Sequence, residues 1–146
     1  MAITSAICNS FKQEILEAEQ NFTASTGNTF NLALYTSSAT LGAGTTAYTT
    51  TEEITNTSGT AYTAKGKALT SVTPTLDSST AVCDFADVSW TSASFTANGC
   101  LIFNDSHSTD AAVCAIAFGG DKTVSSGTFT IQFPAAAATT AIIRIA

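Results

Sequence analysis

SASFTANGCLIFND, residues 92–105, admits two readings that lead to different folds. Asn98-Gly99 between alternating apolar residues is a strong signal for a two-residue hairpin turn. Phe95, Ala97, Gly99, Leu101 and Phe103 also form an unbroken series at every second position, which one extended strand would present on a single face. A strand kinked or bulged at Gly99 keeps them all together. One long strand is therefore expected, with the chain reversal placed in the following NDSHSTD segment, residues 104–110.

Downstream, FGGDKTVSSGTFTIQFPA, residues 118–135, raises the question of a phosphate loop. It lacks the GxxxxGK[ST] order, its Lys122 follows an aspartate, and no glycine-rich turn leads into a helix. Glycine and serine between two alternating apolar segments fit a hairpin connection, expected at residues 119–127. Further strand-like runs are KALTSVTPTL (67–76), TAVCDFADVSW (80–90), AAVCAIAFG (111–119), SGTFTIQF (126–133) and TAIIRIA (140–146). Turn chemistry separates them at 77–79, 105–110 and 134–138, and Pro134 closes its strand. FNLALYT, residues 30–36, alternates as a half-buried strand does. The expectation is an all-β, single antiparallel sandwich or jelly-roll-like domain with one N-terminal α-helix, and strands from Phe30 onward.

That helix is read from TSAICNSFKQEILEAEQNF, residues 4–22. Ile7, Phe11, Ile15, Ala18 and Phe22 fall on one face of a 3.6-residue period, and the helix is expected to end near Asn21. Thr4 or Ser5 can cap its start, with Ser10 and Gln13 as a second capping box. Between the first strand and the rest, residues 37–66 are rich in Thr, Ser, Gly and Ala without a sustained period, which reads as a long surface excursion. TAYT occurs there twice, at 46–49 and 60–63, too short a repeat for a solenoid. The chain, 1–146, is one domain: an arm and helix over 1–22 and a β domain over 29–146.

Charge narrows the function. Only 11% of residues are charged, against about 25% in an average soluble domain. A surface of Thr, Ser, Asn and Ala repels itself weakly, which suits packing against neighbours in an assembly and equally a soluble hydroxyl-rich β domain. The net charge of −6 removes the attraction that dominates nucleic-acid binding. No apolar run reaches the length of a membrane span, and no basic residue precedes a hydrophobic segment in the first eleven residues. No membrane partner and no signal peptide are expected, and synthesis is placed in the cytoplasm. Cys8, Cys83, Cys100 and Cys114 lack zinc spacing and read as inert core thiols, with a Cys100–Cys114 disulfide as the alternative.

Candidate chemistry is sparse. His107 lies with Asp105 and Asp110 in NDSHSTD, a conceivable metal cluster, although two turn aspartates and a solvent-facing histidine account for the same residues. His107 is also the sole possible triad base, but no GxSxG elbow frames a serine. The carboxylate pairs Glu14/Glu17, Glu52/Glu53 and Asp84/Asp87 lack an evident aromatic cleft, only Trp90 lying near one of them. No catalytic residue, metal or cofactor is expected.

FKQEILEAEQNF, FNLALYTSSATLG, AYTAKGKAL, CLIFND, IAFGGDKTVSSGTFTIQFPA and AIIRIA, taken in order, resemble a group of small virion proteins of tailed bacteriophages, cyanophages among them. The resemblance covers most of the chain and rests on the ordered set, since each piece alone is ordinary helix or strand. It implies a capsid decoration (cement) protein that binds the major capsid protein and stabilises the head, as a homotrimer at local threefold positions. A head- or tail-fibre receptor or carbohydrate-binding module is the alternative. The expected partner interface comprises a free arm over Met1–Ser5, including Ala2 and Ile3, the helix residues Ile7 and Phe11, and Leu41 and Tyr48 of the excursion. The blander reading makes the helix a cap on one open end and the excursion an ordinary loop.

Overall fold

The computed structural model describes residues 2–146. In chain order its elements are β1 (Ala6–Ile7), α1 (Asn9–Leu16), β2 (Phe30–Tyr35), β3 (Lys67–Ala68), β4 (Ser71–Asp77), β5 (Thr80–Phe85), β6 (Val88–Asn104), β7 (Ala111–Ile131) and β8 (Ile143–Ile145). One sheet has the order β1-β7-β6-β2-β3 and the other β4-β5-β8. Every pairing between these strands is antiparallel, giving an all-β, sandwich-like domain with one short helix. Among the described residues no helix is long and apolar enough to cross a membrane.

Strand β6 runs straight through Asn98-Gly99, and the reversal falls at residues 105–110. A type I′ turn needs positive φ at both central residues, and neither Asn98 nor Gly99 has it. Glycine serves a different purpose here. A Cβ on Gly99 would stand 2.6 Å from the Ile116 carbonyl oxygen and 2.8 Å from the side chain of Ile3. The position sits between β2, where Tyr35 faces it, and β7, where Ala117 does. Gly99→Ala is expected to cost about 2–3 kcal/mol in denaturant unfolding. A loss below about 0.5 kcal/mol would show that the approach is not close.

The expected hairpin at 119–127 does not form. β7 continues along β6 for its whole length, and the glycine- and serine-rich stretch enters the ladder as bulges. Between the pairs Gly99↔Ala117 and Ala97↔Lys122, β6 advances two residues while β7 advances five. Gly119 and Gly120 take φ of 74° and 144° in this excess, open to solvent. A second irregularity sets Ser126, φ 47°, near Ser92 of β6, φ 51°. Turn residues bend a strand without reversing it when the partner ladder resumes beyond them. The bending is large: Phe118 and Phe129 ring centroids are 6.3 Å apart, whereas eleven residues of straight strand would span about 36 Å.

Strand β2 is not half-buried: all six of its residues are buried. The excursion over 37–66 covers its outer side rather than lying free. Ala39, Leu41, Ile54 and Tyr62 are buried, Glu53 bridges to Tyr35, and the Ile54 N–H donates to the Leu34 carbonyl at 2.9 Å. Apolar residues placed singly among Thr, Ser and Gly leave no period to read, yet each fills a site on the sheet.

The helix is shorter than its apolar period, ending at Leu16 and not near Asn21. Its N-cap is Cys8, which makes no side-chain capping bond, so neither Thr4, Ser5 nor the Ser10/Gln13 box starts it. β7 takes Ala6 and Ile7 as a strand, Ile7 pairing with Cys114. Ala18, at φ 61°, turns the chain away beyond the last turn. Phe11 is buried from the helix, whereas Phe22 reaches the same core from the following loop and stacks on Phe30 at 4.2 Å. One apolar period has thus been divided among strand, helix and loop.

The arm is docked as well. The Thr4 N–H donates to the Leu41 carbonyl at 2.8 Å, the Leu41 N–H to the Ala2 carbonyl at 3.2 Å, and the Ala117 N–H to Ser5 Oγ at 2.9 Å. Ile3 is buried against this seam. Deleting residues 1–5 should therefore lower the thermal midpoint, by the equivalent of about 2–4 kcal/mol for the loss of one buried isoleucine and its seam. An unchanged midpoint would restore the free arm.

All four cysteines are free and buried. Cys100 stands opposite Ile116 and Cys114 opposite Ile102, and no disulfide joins them. Burial pushes Cys8 up to about 11 and Cys83 and Cys114 up to about 12, and drives Cys100 upward as well. A thiol held protonated and out of solvent is a poor nucleophile. Ellman's reagent at pH 8 should leave the native protein unlabelled and titrate four thiols after unfolding; rapid native labelling would contradict this burial.

Candidate functional site

The excursion is pinned by a buried carboxylate. Glu53 accepts the Tyr48 hydroxyl at 2.6 Å, the Tyr62 hydroxyl at 2.7 Å and the Lys65 backbone N–H at 2.8 Å. The Tyr62 oxygen in turn accepts the Leu34 N–H at 2.9 Å, which joins the excursion to the centre of β2. Tyr35 donates to the Thr49 carbonyl at 2.7 Å. Beside this clasp the Lys65 ammonium lies between Asp105 and Asp110, at 2.8 and 2.9 Å. It also stands 5.8 Å from the centre of the Tyr48 ring and 6.0 Å from that of Phe103.

These contacts divide the NDSHSTD cluster. The two aspartates face Lys65, whereas His107 Nε2 faces Glu19 at 2.9 Å and its Nδ1 faces Thr109. No common point is left for a cation, and among the described residues no group of three or more His, Cys, Asp and Glu side chains is arranged to hold a metal. The other carboxylates also tie the chain to itself. Asp84 accepts the Phe85 N–H and Asp87 the Phe133 N–H, while Glu14, Glu17 and Glu52 accept from Gln20, Gln13 and Thr36. Lys122, the candidate phosphate ligand, belongs to a strand instead of a loop.

Burial pushes the Tyr48 phenol up to about 12, and its hydrogen bond to Glu53 adds to the rise. Tyr35 and Tyr62 are driven higher still, again chiefly by burial. Each folded-state value lies above the unfolded one, so the stability these groups contribute is complete below about pH 10 and is lost as pH rises through the folded values. Absorbance at 295 nm should stay flat past pH 10, then rise for all three tyrosines together as the protein unfolds. A tyrosine ionising near pH 10 in the native state would contradict the clasp.

The residues expected to face a partner are mostly occupied within the chain. Met1 lies outside the described residues, and Ala2 is exposed. Ile3, Phe11 and Leu41 are buried, Ile7 is half-buried in its pairing with β7, and Tyr48 stacks on Phe103 at 4.7 Å. The open apolar surface lies elsewhere. A groove of about 510 Å³ is formed where the bent β7 meets the C-terminal segment, lined by Ile116, Phe118, Phe129, Phe133 and Ile142, with Lys122 at its edge. A smaller one, about 140 Å³, separates α1 from the three-stranded sheet and includes Phe11, Ile15, Ala81 and Ile143. Sequence reading missed both, because alternation marks a side chain's face without saying whether another layer covers that face.

Fold and surface together define a sandwich-like β module in which most ionisable side chains hold its own segments and an apolar groove lies open. No family model, no curated protein and no solved structure matches the chain.

Proposed function

We propose that the protein is a structural component of a tailed-phage virion, a capsid decoration protein that binds the major capsid protein and stabilises the head. The observation that carries this reading is an open apolar groove on a chain whose carboxylates, His107 and tyrosines are engaged in intrachain contacts. Such a surface suits docking. The ordered resemblance to small virion proteins supplies the partner, the virion location and the homotrimer. A carbohydrate-reading fibre module would need aromatic faces on its loops. Tyr62 is 1% exposed and Tyr48 is stacked on Phe103, which favours the capsid reading.

Purified protein added to heads assembled without it should co-sediment at a fixed, saturable ratio and raise the temperature at which heads rupture. Failure to bind heads, together with retention on host surface polysaccharide, would transfer the protein to the fibre.

A further inference from the structure

We propose that the large groove receives the end of helix α1 from a second copy of the chain, in a head-to-tail contact. The groove's one charged lining residue is Lys122. The other basic side chains are engaged: Lys12 with Asn9, Lys65 with Asp105 and Asp110, Lys67 with the Ser89 carbonyl and Arg144 with the Ala138 carbonyl. Among the described residues Lys122 is the one cation whose side chain has neither an ion pair nor a hydrogen bond. It therefore stands uncompensated beside a bed of aromatic and aliphatic side chains.

The complementary shape lies on the same chain. Leu16, the last residue of α1, is 88% exposed, the highest value among the large apolar side chains. It sits in EILEAE, residues 14–19, where three carboxylates occur without a base. Glu14 and Glu19 are held by Gln20 and His107, and Glu17, next to Leu16, is exposed and accepts only the Gln13 amide. A projecting leucine beside a carboxylate matches an apolar groove beside an ammonium. The two halves are separate patches: no residue of α1 lines the large groove, which takes Ile142, while Phe11 and Ile15 of α1 line the small one with Ile143. A contact between unlike patches of identical chains is heterologous and closes into a ring when the rotation permits. It does not depend on the virion reading, since the same association would occur in a chain that never enters a particle.

Sedimentation equilibrium of the full chain tests it. The wild type should self-associate with concentration. Leu16→Asp and Lys122→Glu, both at exposed positions and checked for an unchanged thermal midpoint, should each raise the dissociation constant by about tenfold or more. Glu17→Lys should do likewise, and the double variant carrying Glu17→Lys and Lys122→Glu should return to within about threefold of wild type, because the exchanged charges attract again. A wild type that stays monomeric across the range overturns the proposal, as does a double variant no better than the single ones. A monomer that binds heads through Lys122 also overturns it, assigning the groove to another partner and leaving the virion reading intact.

Discussion

Replacing Glu53 by alanine should lower the stability of the isolated protein by about 3–5 kcal/mol, because it leaves two tyrosine hydroxyls and one backbone N–H without their acceptor, the Tyr62 hydroxyl fully buried and the other two donors partly so. Hydrogen bonds to a charged group contribute more than neutral ones, and a buried donor left unmatched costs its full desolvation. Tyr62 is the most affected, being 1% exposed and placed directly under the middle of β2. In a protein with about 5–15 kcal/mol in total, such a loss should lower the thermal midpoint by on the order of 10 °C or more. Glu53→Gln keeps the shape and one acceptor oxygen, but its amide brings hydrogens toward a donor, so an intermediate loss is expected. Thermal and urea unfolding of the two variants beside wild type checks this; a Glu53→Ala loss below about 1 kcal/mol would show that the excursion does not depend on the carboxylate.

Gly66→Ala should be at least as damaging. Gly66 adopts φ 66°, and a Cβ there would fall 1.8 Å from the Leu32 carbonyl oxygen and 2.9 Å from the Ala33 Cα. Both belong to β2, whose backbone is fixed by β6 on one side and β3 on the other. Left-handed backbone costs an alanine about 1 kcal/mol, and displacing a central strand costs several more, so about 3–5 kcal/mol is expected in all. The comparison is Gly59→Ala. Gly59 also has positive φ, 91°, but nothing lies within 4 Å of its would-be Cβ, so about 1 kcal/mol is expected. Equal losses at the two sites would remove the close approach on which the β2–β3 packing rests. Since Gly66 follows the Lys65 amide that Glu53 accepts, the Gly66 and Glu53 losses should be less than additive.

The sheet class was legible because it resides in periods of two. The series from Phe95 to Phe103 identified β6 despite the turn-like Asn98-Gly99, and the reversal at 105–110 followed. What was illegible depended on partners distant in the chain. Whether GGDK and SSG reverse a strand or merely bulge it is decided by β6, which continues to pair on both sides of them. The helix period ran past Leu16 because Phe22 and Phe11 pack at 5.9 Å while belonging to different structures. The clasp carries no local signal at all: Tyr48, Glu53 and Tyr62 are irregularly spaced among threonines, and only the fold brings them together. The groove likewise joins Phe118 and Phe129, eleven residues apart on one strand, with Phe133 and Ile142 beyond it. Composition did indicate a weakly charged surface, and the residues expected to dock were the apolar ones of the arm, helix and excursion. Folding consumed most of those side chains and left a different apolar set open.

The proposed role in head decoration is tested most directly by a near-atomic reconstruction of tailed-phage particles produced with the gene for this chain present. Decoration of the head predicts a sandwich-like β domain at fixed positions on the outer capsid surface; the proposed self-association separately predicts the end of α1 from one copy against the Lys122 groove of its neighbour. Particles that lack the protein, or that carry it only at a fibre tip, would contradict the role in head decoration.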